Sequence, residues 1–396
     1  MEVEPQMVST EKDPRKGVGI VAVLVAVAVL ALGLAACGGG GGGIGGSGGE
    51  EKEASKVKVE GKPSGSLTIS NWPLYIDKGT VPAFEKATGE SVKYIEDINS
   101  NEEFFNKMQP LLQQGESGGR SIFVLADYQV VKMHKLGYLQ EFDKAGLPEV
   151  EKNLVASLQH PQFDPKRDWT VPWQSGMTGV IVNKETAPDV KSICDLFDPK
   201  YKGKVDFLNE VRETVPLVMK CEGVDPSEAT EADWMKAIEK IKGAAESGQI
   251  RRFTGNDYAR DLTSGDAVAV IGWSGDAVQL QADNPNLEWR MPTEGCMLWS
   301  EDMVIPIGAP NATAAEAFMN FVYEPEVQAN IAEYVNYVTP VEGVKEVLAK
   351  RDPELAQNQL IFPSASFTKN CSATPVFKSE EEEQKVIKAF DEVLNG

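Results

Sequence analysis

The sequence predicts an α/β fold with a mainly parallel sheet, and three observations carry that prediction. From Ser66 onward, short β-type runs alternate with helical runs. One β-type run, SIFVLA at residues 121–126, is apolar throughout, as expected of a strand covered on both faces. Aromatic and acidic residues gather just after these runs, at the sheet edge where α/β folds bind ligands.

The elements follow in order. SLTIS (66–70) is the first strand, and GTVPAFEKATG (79–89) sets Val81, Phe84 and Ala87 on one helical face, with Gly89 as the stop. SVKYIE (91–96) returns as a strand, and NEEFFNKMQPLLQQ (101–114) is amphipathic through Phe104, Met108, Leu111 and Leu112. After SIFVLA comes the helix YQVVKMHKLGYL (128–139). It carries His134, read as a surface residue; His160 is the only other histidine, so neither a histidine triad nor a His-rich zinc site is expected.

From DWTVPWQSGMTGVIVNKE (168–185) to about residue 298 the alternation continues without sequence repetition. KGKVDFLNE (202–210) is a strand ending in an acid, and TEADWMKAIEKIKG (230–243) opens with a capping-box pattern, Thr230 with Asp233. Trp234 shares a stripe with Ile238 and Ile241 and belongs to the core. GDAVAVIGWSGDAV (265–278) is a buried strand ending at Trp273, with Asp276 close behind. In EGCMLWSEDMVIP (294–306), Trp299 and Glu301 stand two apart and share one face of an extended chain. The helices TAAEAFMNFVY (313–323) and EPEVQANIAEYV (324–335) precede NYVTP with Tyr337.

The N-terminus addresses the chain outward. Lys12, Arg15 and Lys16 precede an apolar run to Ala36, and LAAC (34–37) stands where a cleavage site belongs. A retained membrane span is the competing reading of that run. The cysteine resembles that of a bacterial lipobox, so 1–36 is expected to be removed and Cys37 to carry the lipid. GGGGGGIGGSGG and the charged stretch after it make residues 37–65 a flexible tether.

Sixty acidic and thirty-nine basic residues give a formal charge of −21, which repels nucleic acid and suits a cationic ligand. At the predicted strand ends stand Trp72, Tyr75, Tyr128, Trp273, Trp299 and Tyr337, together with Glu210, Glu213 and Glu301. Ring faces attract ammonium groups, carboxylates bond them, and rings cover the methylenes between them, so such a box suits an alkyl polyamine.

The ordered set NWPLY, YQVVKMHKLGYLQEFDK, FDPKRDWTVPW, FDPKYKGKV, NEVRETV, WSGDAV, EGCMLWSEDMVIP and NYVTP resembles the spermidine/putrescine-binding proteins of bacterial ABC importers over residues 66–345. That resemblance implies a type II periplasmic-binding-protein fold, two α/β lobes with a ligand cleft at the hinge. It implies chain crossings near Gly176, Trp299 and Pro340, hence a first lobe of 66–176 and 299–342 and a second of 177–298 and 343–396. It implies that the six aromatics form the ligand box and that Glu210, Glu213 and Glu301 anchor the amines, with Glu210 and Glu301 standing where the family usually has aspartate. It also puts Leu74 where spermidine binders carry an acid. The implied partners are a small cationic ligand and the permease subunits of the importer; a monomer without cofactor or metal is expected.

Cys194, Cys221, Cys296 and Cys371 are an even number in a disulfide-permissive compartment. The expected pairs are Cys194–Cys221 and Cys296–Cys371, against four free thiols. Competing functions are a receptor for another organic cation or an amino-phosphonate, a sensor lipoprotein without transport, and a hydrolase using Glu210 and Glu213 as acid and base. Against the hydrolase, Arg212 separates the two acids and no nucleophile or metal motif accompanies them.

Overall fold

The structure, a computed structural model, describes residues 65–396 apart from Val376. The leader at 1–36, the anchor Cys37 and the tether up to residue 64 lie outside the described residues.

The first part of the chain runs β1 (Ser66–Asn71), α1 (Thr80–Thr88), β2 (Ser91–Glu96), α2 (Asn101–Leu112), β3 (Ile122–Ala126), α3 (Asp127–Lys135) and α4 (Pro148–Asn153). The middle runs β4 (Val171–Asn183), β5 (Val205–Leu208), α5 (Val211–Cys221), α6 (Glu231–Glu246), β6 (Ile250–Thr254), α7 (Tyr258–Ser264), β7 (Ala269–Trp273), α8 (Ser274–Asp283) and β8 (Leu287–Arg290). The last part runs β9 (Met297–Val304), α9 (Ala312–Phe321), α10 (Pro325–Val335), α11 (Val344–Arg351), β10 (Ser372–Ala373) and α12 (Glu380–Asn395).

Local chemistry explains the element ends. Gly89 stops α1 in the left-handed conformation at φ 79°, which costs glycine nothing. Thr230 and Asp233 complete their capping box at the head of α6, satisfying donors that have no partner within the helix. β3 is buried at all five positions, and Trp234 packs with Ile238 and Ile241 inside. One periodic reading is corrected: Ala87 of α1 is exposed, and the helix buries Thr80 and Phe84 instead.

The strands join in the order β2-β1-β3-β9-β4-β7-β5-β6, with β10 on β9 and β8 on β4. The outer ladders, β1 with β2 and β3 and β5 with β6 and β7, are parallel. The middle ladders, β3–β9, β9–β4 and β4–β7, are antiparallel, so the sheet is less uniformly parallel than the alternation predicts. The reason is topological: two long strands carry the chain between halves in opposite directions. β4 pairs with β9 over Val171–Thr178 and with β7 over Thr178–Val182, so the two halves meet near Met177.

After a bridge from Ser175 to Val338 the chain passes Pro340, and α11 packs against α10 before β10 joins the start of β9. α12 then packs on α6. Cys194 is bonded to Cys221, and Cys296 to Cys371. His134 is half-buried, its ring stacked on Trp169 at 4.1 Å.

Candidate functional site

The carboxyl ends of four parallel strands supply most of one cleft. Trp72 and Tyr75 follow β1, Glu213 lies in the first turn of α5 after β5, Asn256 follows β6, and Trp273 closes β7 with Asp276 in the first turn of α8. Trp299 and Glu301 reach the cleft from within β9, and Tyr337 from the loop after α10. Pro73, Asn101 and Ala126 complete its lining, around about 400 Å³ of empty space that includes the solvent at its mouth.

The rings interlock, two pairs edge to face and the Trp299–Tyr337 pair tilted. Trp72 meets Trp273 with centroids 5.8 Å apart, Tyr75 meets Tyr337 at 5.2 Å, and Tyr337 meets Trp299 at 5.4 Å. This geometry aligns positive ring edges with negative faces. Gly275 makes room for it, because a Cβ there would lie 2.4 Å from the Tyr337 ring. The Tyr75 hydroxyl and the indole N–H groups of Trp72 and Trp299 are buried without a hydrogen-bond partner.

Three acids share the cleft. One oxygen of Glu213 accepts both the Trp273 indole N–H, at 2.8 Å, and the Thr178 hydroxyl, which leaves its second oxygen to the cleft. Burial, and next the charge of Glu210, push its carboxyl up to about 8. Asp276 accepts the hydroxyls of Tyr337 at 2.6 Å and Tyr258 at 2.7 Å, and the Asn256 amide at 3.0 Å. Burial raises its carboxyl, although these donors favour the charged form. Glu301 is raised well above the ordinary range, chiefly by burial and further by the negative charges of Glu213, Glu210 and Asp276; the Tyr75 hydroxyl lies beside it without good hydrogen-bond geometry.

Seven sequence-predicted site residues thus line one cleft: Trp72, Tyr75, Glu213, Trp273, Trp299, Glu301 and Tyr337. Tyr128 and Glu210 stand outside its lining, bonded to each other at 2.7 Å. Leu74 is 55 % exposed and outside the lining, so the expected far anchor for a longer ligand has no counterpart at that position. Sequence reasoning left out Asp276, although its signal was present: it stands in the first turn of a helix directly after a strand, as Glu213 does. Asn101 and Asn256 carried no such signal, since a lone asparagine after a strand reads as a turn.

Two α/β halves meeting along one sheet and sharing a cleft walled by rings and acids define a solute receptor. The chain belongs to the family of bacterial extracellular solute-binding proteins, whose model matches residues 80–362. It is similar to the spermidine/putrescine-binding periplasmic protein of Salmonella typhimurium, 30% identical over 304 residues that cover 76% of this chain and 84% of that one. It is also similar to the putrescine-binding periplasmic protein PotF of Escherichia coli, 29% identical over 76% of this chain and 84% of the relative. Among solved structures, the spermidine/putrescine ABC transporter substrate-binding protein PotD of Streptococcus pneumoniae superposes with a TM-score of 0.67 at 26% identity, covering 83% of this chain and 98% of that one.

Proposed function

We propose that this protein captures a linear polyamine of the putrescine or spermidine type and delivers it to the permease of an ABC importer. The observation that carries the reading is the convergence of Glu213, Asp276 and Glu301 on one cleft walled by Trp72, Tyr75, Trp273, Trp299 and Tyr337. Buried carboxyls raised by their surroundings gain most from an ammonium partner, and the rings cover the carbon chain between two such groups. The relatives named for spermidine and putrescine support the same ligand class. Membership of a solute-binding family supports capture rather than catalysis as the work of this cleft. Calorimetry on purified protein with putrescine, spermidine, glycine betaine and 2-aminoethylphosphonate tests it; failure of both polyamines to bind below millimolar concentration refutes the assignment.

Lobes of 66–176 with 299–342 and of 177–298 with 343–396 are part of the proposal. The change of ladder partner at Thr178 supports the first boundary. Cys37 is read as the lipid anchor on the outer face of the cytoplasmic membrane. No helix among the described residues is long and apolar enough to cross a membrane. Cys37→Ser should leave an uncleaved precursor or release the protein from the membrane, as read by mass and membrane partitioning.

A further inference from the structure

Two cleft-bearing elements, α5 and β9, are tied to one stretch of chain, residues 370–375, that stands outside the cleft lining. The stretch pairs alongside the start of β9. The Ser372 N–H donates to the Cys296 carbonyl at 2.9 Å and the Thr374 N–H to the Leu298 carbonyl at 3.1 Å. The Thr374 hydroxyl reaches the same Leu298 carbonyl at 3.2 Å. Trp299 and Glu301 follow directly on β9 and line the cleft. α5 holds the same stretch at both of its ends. Arg212, beside Glu213 in the first turn, donates to the Pro375 carbonyl at 3.2 Å. Lys220, in the last turn, donates to the Asn370 carbonyl at 3.1 Å and to the Ser372 hydroxyl at 3.0 Å. Gly295 comes so close that a Cβ there would lie 1.8 Å from the Asn370 carbonyl oxygen. Cys371 lies within this stretch, and its bond to Cys296 joins the stretch to β9 across a separation of 75 residues.

We propose that the Cys296–Cys371 bond is a positioning bond for the cleft: it holds residues 370–375 as a brace across α5 and β9, and so fixes Glu213 relative to Trp299 and Glu301. The identity of the ligand rests on the polyamine reading; the brace does not. A strand of two residues, Ser372–Ala373, supplies too few ladder bonds to hold itself in place. Between α11 and α12 the described residues form one further element, the 3₁₀ turn at Leu355–Gln357, so little regular structure supports that strand. The covalent bond keeps Cys371 beside its place on β9, and pairing then needs only local order. Without the bond the brace is in place for part of the time, and only that fraction presents the formed cleft. A brace in place a tenth of the time would weaken binding about tenfold. The other disulfide, Cys194–Cys221, meets α5 at its last residue, more than two helical turns past Glu213. It serves as the internal comparison, a bond expected to carry stability and not affinity.

Two measurements on the full chain test this, each comparing Cys296→Ser with Cys371→Ser against Cys194→Ser with Cys221→Ser. Both double variants should lose stability. Calorimetry well below the melting temperature should show putrescine bound about tenfold more weakly by the first and as tightly as wild type by the second. Hydrogen–deuterium exchange without ligand should show the first turn of α5 and residues 297–301 exchanging about tenfold faster in the first double variant alone. Should that variant fail to fold, Lys220→Met carries both measurements. It cuts two bonds between α5 and the brace, leaves both disulfides in place, and should shift affinity and exchange in the same direction by less. Wild-type affinity in the first double variant, or equal losses in the two, overturns the positioning role and leaves a bond that only stabilises. If no amine binds the wild type, the polyamine reading falls and the exchange comparison decides the brace; exchange that is unchanged at both sites, or faster in both double variants alike, overturns it.

Discussion

Replacing Glu213 by glutamine removes one charge and leaves the shape of the cleft in place. A single oxygen of Glu213 accepts both Trp273 and Thr178, and the glutamine carbonyl can accept the same pair while its amide turns to the ligand. An ammonium that met a carboxylate then meets an N–H₂ group inside a mostly dry cleft. Leaving a buried charge unpaired costs on the order of 2–5 kcal/mol, roughly 30-fold or more in affinity. The wild type should also show a pH signature. Burial and the charge of Glu210 push the Glu213 carboxyl up to about 8, so at pH 6–7 it holds a proton that an arriving ammonium displaces. Affinity for putrescine should therefore rise between pH 6 and 8, by up to about tenfold per unit for each proton released. Calorimetry in buffers of different ionisation enthalpy counts those protons directly. Wild-type affinity that is flat from pH 6 to 8, or a Glu213→Gln variant that binds as the wild type does, refutes the reasoning.

The same carboxyl sets the stability of the ligand-free protein, with the opposite sign. A carboxyl raised on folding holds its proton in the folded state and loses it in the unfolded one, so stability should fall as pH rises from about 4.5 toward 8, and thermal melts at pH 6 and 8 without ligand should show the drop. Gly275→Ala would drive a methyl into the Tyr337 ring and break the contact that orients Asp276; affinity should fall about tenfold, and the melting temperature should fall as well, since overpacking a buried ring costs about 1–3 kcal/mol. Reducing the disulfides should release loops of 27 and 75 residues, worth roughly 3.5 and 4.5 kcal/mol in unfolded-chain entropy; the denaturant midpoint of reduced protein against oxidised checks it, and equal midpoints refute it.

Much of this arrangement could be read from the chain alone, for local reasons. Gly89, the Thr230–Asp233 box and the apolar run of β3 act within a few residues of themselves, so propensity and periodicity reveal them. Sheet chemistry made the aromatic box legible as well, because strands ending in rings and acids bring those residues to one edge wherever neighbouring strands run parallel. What the sequence by itself could not decide is how side chains from distant segments share their partners. Glu210 and Glu213 are three residues apart on one stretch and are equivalent acids in sequence. In the folded chain one meets donors from Asn101 and Tyr128 across the lobe junction, and the other opens an oxygen to the cleft. Asp276 likewise becomes a cleft acid only through Tyr258, Tyr337 and Asn256, and Leu74 is turned outward, with a φ of 56° that no local pattern announces. Composition and period bring an acid or a ring to the right edge of the sheet; whether it faces ligand, partner lobe or solvent depends on contacts made across tens to hundreds of residues, which only tertiary packing supplies.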